Sequence, residues 1–167
     1  MKKPIVAVVM GSESDMPVME KAGDVLNEFG IGYQFRVLSA HRSPDEVIRF
    51  AKTASNNGIK IIIAGAGGAA HLAGVIASHT TLPVIGVPIH TKSLGGMDSL
   101  LSTVQMPGGV PVATMAIGEA GARNAGIFVL EMLGISDATI SARLRRYKKG
   151  LVRSVKEKDN KYRKRGI

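Results

Sequence analysis

The chain contains no cysteine and no tryptophan. Without cysteine there is no disulfide, no thiolate nucleophile and no cysteine-held zinc or iron–sulfur site. Aromatic residues are scarce, four Phe and three Tyr, which leaves few platforms for stacking a flavin ring or an unpaired base. Long apolar runs are missing too. The nearest approach, Ile61–Ala77, is 17 residues long and carries four glycines and His71, short of the roughly 20 apolar residues a membrane span needs. The first apolar run, Ile5–Met10 behind Lys2 and Lys3, is too short for a signal-peptide core, and no cleavage-like segment follows. These absences predict a soluble, cytoplasmic protein without a membrane partner.

Acidic residues are missing from one place in particular. The chain carries a net charge of +9, yet residues 143–167 hold 12 of the 22 Lys and Arg and only two acids, Glu157 and Asp159. The remaining 142 residues are close to neutral. A basic terminal stretch can bind nucleic acid, but only Tyr147 and Tyr162 accompany the charge. A solvated or oligomer-packing terminal helix is the expectation, with no nucleic-acid partner.

What is present is a repeated pattern of short apolar strand followed by small and polar residues. Ile5–Met10 runs into Gly11-Ser12-Glu13-Ser14-Asp15. The strand ending at Leu38 runs into Ser39-Ala40-His41-Arg42-Ser43-Pro44. Lys60–Ala64 runs into Gly65-Ala66-Gly67-Gly68-Ala69-Ala70-His71. Strands are expected at 5–10, 33–38, 59–64, 84–87 and 112–116, with helices at about 15–28, 43–57, 69–79, 98–104, 119–133 and 136–158. Ser43, Pro44 and Glu46 have the spacing of a helix cap with a capping box. Alternating strands and helices predict a three-layer α/β fold with a parallel sheet. A single domain is expected, with an α/β core over 1–134 and a C-terminal helix and basic tail over 135–167.

In such a sheet the loops after the strands emerge at one edge, where ligands bind. The first loop offers backbone N–H groups at a helix start and two hydroxyls, suited to an anion. Ser14 or Asp15 can equally serve as plain caps there. Arg42 can grip a phosphate with its planar fork. His41 beside it is the candidate acid/base, since imidazole ordinarily titrates nearest neutral pH. The Gly/Ala loop lets backbone approach a ligand closely. Two readings of His71 stay open, ligand contact or satisfied core histidine, whereas His79 reads as a partner for a helix C-terminus. The four histidines lack metal-site spacing, so no metal is expected.

Together, Gly11-Ser12-x-Ser14-Asp15, Ser39-Ala40-His41-Arg42-x-Pro44, Gly65 through Leu72 and Val104-Gln105-Met106-Pro107-Gly108-Gly109-Val110-Pro111 resemble the purine-biosynthesis carboxylase family, in its stand-alone bacterial mutase type. The resemblance covers about residues 5–133. It implies a flavodoxin-like α/β/α sandwich, assembled as a homo-octamer in which the 105–111 segment and the terminal helix take part. It implies a small ribonucleotide substrate and transfer of a carboxylate from the exocyclic nitrogen N5 of an aminoimidazole ribonucleotide to ring carbon C4, with no cofactor. It gives His41 the proton-shuttling role. Ser12, Ser39 and Arg42 would hold the ribose phosphate, Asp15 would accept from the ribose hydroxyls, and the Gly67-Gly68-Ala69 backbone would line the pocket that traps CO2, with Gly11, Ala66, His71 and Leu72 completing the substrate-binding set. Ala73 stands where many members have proline, and His90 where the family often has glutamine. The alternatives are a direct carboxylase of the same family, a flavin-binding module, and a Ser–His–Asp hydrolase. The last lacks the Gly-x-Ser-x-Gly elbow.

Overall fold

The structure, a computed structural model, describes residues 3–163. Its elements are β1 (Val6–Met10), a 3₁₀ turn (Glu13–Asp15), α1 (Met16–Glu28), β2 (Tyr33–Val37), α2 (Pro44–Thr53), β3 (Ile61–Gly67), α3 (Leu72–Ala77), β4 (Val84–Ile89), α4 (Met97–Val104), β5 (Ala113–Thr114), α5 (Glu119–Gly134) and α6 (Ala138–Arg163). The chain divides into two compact units, Met1–Ile127 and Phe128–Ile167.

In the first unit all strands are parallel, in the order β2-β1-β3-β4-β5. This is the doubly wound, flavodoxin-like order. The central strands read as continuous apolar runs because both faces are covered, and β1 and β4 are buried along their whole length. On one face Ala7, Val9, Ile62 and Ala64 pack with Val47, Phe50 and Ala51 of α2 and Leu72, Ala73 and Ile76 of α3. On the other face Met19 of α1 lies against Gly65 of β3, and Gly126 of α5 against Val25 of α1.

Several boundaries differ from the sequence expectation. β3 does not stop at Ala64 but continues through Gly67, pairing Gly67 with Ile89. Glycine weakens a strand, but at Gly65 any Cβ would collide with the side chain of Met19, which is fully buried. The helix sulfur fills the space a side chain would have used. β4 likewise runs past Val87 and through Pro88. Gly86 and Pro88 turn their carbonyls the same way, accepting from Met115 N–H (2.9 Å) and Gly118 N–H (2.9 Å). Ladder pairing with β5 ends at Gly86–Thr114, so the N–H that proline lacks has no strand partner to lose.

The capping box expected over Ser43 and Glu46 does not form. Ser43 holds the cap position, but its hydroxyl donates to the Ser39 carbonyl (3.1 Å) and accepts Ser39 N–H (3.2 Å). The loop takes the group the helix would have used, and Glu46 pairs with Arg49 instead. A capping box is found at the first loop, between Ser12 and Asp15. Helix α3 starts at Leu72, not Ala69, because residues 68–71 form tight turns, Ala70 N–H to Gly68 O and His71 N–H to Ala69 O.

In the second unit α6 begins at Ala138, and the Asp137 carboxylate caps it by accepting from Thr139 and Ile140 N–H (2.8 and 3.1 Å). Lys148 pairs with Glu131 at 2.7 Å, and Leu144 is buried beside Gly134. From Leu151 to Arg163 every residue is exposed. Among the described residues no helix is long and apolar enough to cross a membrane.

Candidate functional site

The carboxyl ends of β1, β2, β3 and β4 open into one cavity of about 520 Å³. Gly11, Ser12, Ser14 and Asp15 supply one wall and Ser39, Ala40, His41 and Arg42 a second. Ala66, Gly67, Ala69 and Leu72 supply the third, and Ile89, His90 and Thr91 the fourth. Segments far apart in sequence thus meet because parallel crossovers return every strand in the same direction.

The first wall is a small hydrogen-bonded turn. Ser12 N–H donates to the Asp15 carboxylate (3.1 Å), and Ser14 donates through its hydroxyl to Ser12 Oγ (3.0 Å). Asp15 is 8% exposed. Burial pushes its carboxyl above the ordinary value; the Ser12 N–H, the Ser14 hydroxyl and the Arg42 charge oppose that shift without cancelling it. A carboxylate in this position remains a strong acceptor facing the cavity.

Arg42 joins the first wall to the second. Its Nη2 donates to the Gly11 carbonyl (3.0 Å) and its Nε to Ser39 Oγ (3.3 Å). Ser39 Oγ also accepts Arg42 N–H (3.2 Å). A guanidinium has five N–H donors, so this bracket leaves others for an anion. From this bracket Arg42 lines the cavity.

His41 and His71 reach one another from different crossovers. Nε2 of His41 lies 2.9 Å from Nδ1 of His71, with the rings edge to face at 5.0 Å between centroids. Such a contact requires one proton between the two nitrogens. His71 is exposed, so it is not a core histidine, and it stands behind His41 and not in the wall itself. Gly68 also lies outside the wall. Its φ of +69° suits glycine, and its N–H is held by Ser99 Oγ at 2.9 Å. Of the residues singled out in the sequence, Gly11, Ser12, Asp15, Ser39, His41, Arg42, Ala66, Gly67, Ala69 and Leu72 converge on the cavity.

The fourth wall lies beyond the strand that the sequence predicts. With strand four ending at Val87, Ile89 and Thr91 carry no signal in the sequence and nothing there gives His90 a role. Carrying β4 forward in register beside Gly67 would have placed them at the rim. Thr91 donates to the Asp98 carboxylate (2.8 and 3.0 Å) and accepts Gly96 N–H (3.3 Å), which fixes the turn. His79 is occupied elsewhere, between Ser78 Oγ (2.9 Å) and the Val75 carbonyl (3.0 Å) at the end of α3. Among the described residues no three His, Asp or Glu gather as a metal-holding group.

The arrangement places a guanidinium and hydroxyls for an anion, a carboxylate for hydroxyl donors, imidazoles for proton transfer and a bare backbone wall within one small volume. The sequence model described as "AIR carboxylase" matches residues 5–154. The chain is 55% identical over 157 residues to the N5-carboxyaminoimidazole ribonucleotide mutase of Pyrococcus horikoshii, covering 94% of this chain and 88% of that protein. It is 56% identical over 142 residues to the mutase of the same name from Bacillus subtilis, covering 85% and 88%. Among solved structures, Treponema denticola PurE superimposes with a TM-score of 0.85 at 28% identity, over 95% of this chain and 98% of that one.

Proposed function

The chain belongs to the AIR carboxylase family, and on that premise we propose that it is an enzyme of purine biosynthesis, an N5-carboxyaminoimidazole ribonucleotide mutase. It converts N5-carboxyaminoimidazole ribonucleotide to 4-carboxy-5-aminoimidazole ribonucleotide. The observation that carries the reading is the meeting of His41, the Arg42 bracket and the Gly67–Ala69 backbone around one cavity. We assign the substrate phosphate to Arg42, Ser12 and Ser39, and the ribose hydroxyls to Asp15.

The chemistry then needs one mobile proton. His41 gives a proton to the exocyclic nitrogen, the N–C bond breaks, and its electrons stay on nitrogen as CO2 departs. The electron-rich ring attacks CO2 through C4, forming the C–C bond. The C4 proton then returns to His41, so acid and base balance over the cycle. His71, 2.9 Å away, orients the imidazole. The Gly67-to-Ala69 backbone and Leu72 wall hold CO2 between bond breaking and bond making. Confinement of this kind replaces a dilute bimolecular capture with a local one. In this reading the enzyme works in the cytoplasm as a homo-octamer and uses no cofactor.

The test is turnover of N5-carboxyaminoimidazole ribonucleotide with bicarbonate removed. Fast formation of the C4-carboxylated product is expected. The description of the matching family keeps one second reading in view, direct carboxylation of aminoimidazole ribonucleotide. Slow turnover of the N5-carboxylated substrate, with fast turnover of free aminoimidazole ribonucleotide plus CO2, would replace the mutase by that carboxylase.

A further inference from the structure

Where β3 and β4 part company, Gly67 and Ile89 form the last pair of their ladder. Beyond it the Gly68 N–H and the Ile89 carbonyl have no strand partner. One hydroxyl serves both. Ser99 of α4 accepts Gly68 N–H at 2.9 Å and donates to the Ile89 carbonyl at 2.7 Å. Ser99 is 0% exposed, and its bond to the Ile89 carbonyl is buried while that from the half-buried Gly68 lies nearer the surface. Ser102, one turn face further on, donates to the Gly68 carbonyl at 3.3 Å as well as to Asp98 O at 2.7 Å. Gly68 is therefore held by α4 through both its N–H and its carbonyl. The flanking Gly67 and Ala69 line the cavity, as does Ile89.

We propose that Ser99 is a positioning residue for the reaction: it fixes the Gly67–Ala69 wall and the Ile89–Thr91 rim relative to one another, and so sets the space in which CO2 is retained. Ser99 touches no part of the substrate and acts through Gly68 and Ile89. The argument is one of accounting for buried polar groups. Removing the hydroxyl leaves a half-buried donor at Gly68 and a buried acceptor at Ile89 without their partner, a penalty the backbone relieves by moving until both groups are satisfied again. The segment able to move is the left-handed turn at Gly68, where no side chain packs: a Cβ built there meets nothing within 4 Å. Movement there displaces the wall and leaves the Arg42 bracket, in the loops after β1 and β2, untouched. This inference rests on the mutase reading for its consequence in turnover, but not for the contact itself.

The matched comparison is Thr103, on the same helix, 3% exposed, whose hydroxyl donates to the Ser99 carbonyl (2.7 Å) and to no loop of the cavity among the described residues. Thr103→Val removes that hydroxyl and keeps the methyl that packs beside Gly86. Ser99→Ala, Thr103→Val and wild type are compared in two ways. Hydrogen exchange over the peptide 65–71 should quicken in Ser99→Ala alone. With substrate labelled in the N5-carboxylate, Ser99→Ala should lose about ten- to a hundredfold in kcat, keep KM within about twofold, and release more labelled CO2 per product formed. Wild-type kcat and label retention in Ser99→Ala would overturn the proposal. So would Thr103→Val reproducing every change, which would mark generic weakening of α4. If wild type itself does not convert the N5-carboxylated ribonucleotide, the mutase reading fails, and the exchange comparison alone decides whether Ser99 holds the wall.

Discussion

Asp15 gives up hydration for position. Burial raises its carboxyl, so the folded chain binds a proton there more tightly than the unfolded chain does. By linkage, stability from this group is complete below the unfolded value of 3.8 and is lost as pH rises through the raised folded value. Asp15→Asn removes that loss while its amide oxygen can still accept Ser12 N–H. Melting curves taken from pH 3 to 7 should show the variant gaining on wild type as pH rises, while its KM for the ribonucleotide increases. His41→Asn should keep its melting temperature within a few degrees and lose about 10²–10⁴ in kcat. Full activity in that variant would remove His41 from proton transfer. Arg42→Ala severs the bracket between Gly11 and Ser39 and the phosphate contact with it. A charged hydrogen bond is worth about 1.5–3 kcal/mol, so KM should rise by roughly ten- to a hundredfold, measured by initial rates.

Elements show where local rules give way to packing. Alanine normally improves a helix over glycine by about 1 kcal/mol. At Gly121 in α5 the sign should reverse, because a Cβ there would run into the Ala116 carbonyl oxygen. We expect Gly121→Ala to lower the urea midpoint by the equivalent of at least about 2 kcal/mol. The same contest decided what the sequence revealed. The strands expected at 5–10 and 84–87 were legible as short unbroken apolar runs between breakers, and the helix expected at about 15–28 because its apolar residues recur at helical spacing. The extension of β3 over Gly65-Ala66-Gly67 was not, since only Met19, far off in the chain, explains it. The loop residues that line the cavity were legible because the loops after parallel strands emerge at one edge of the sheet. The pairing of His41 with His71, 30 positions apart, and the diversion of the Ser43 hydroxyl to Ser39 were invisible, since both depend on how crossovers lie in space.

For the whole molecule, the proposed octamer has a visible motive in the first unit. Leu94, Met97, Leu101 and Val104, in and just before α4, are 64%, 51%, 50% and 47% exposed. The Gln105–Pro111 segment that follows is mostly exposed too. An apolar helix face left in water favours association. Sedimentation should give a particle of eight chains, and Leu101→Glu should shift it toward smaller species with far-UV circular dichroism unchanged. An unshifted mass would move the contact to another surface. The same helix presents Ser99 inward, so loss of assembly and loss of carboxylate retention can be compared on one element.

The ring formed by the ends of four strands has a further implication for how competence arises. No contiguous fragment contains it, and no hairpin or single crossover can rehearse it. On refolding, the cavity should emerge only after β4 has docked beside β3, so that substrate affinity returns late and in one step even where helical content returns early.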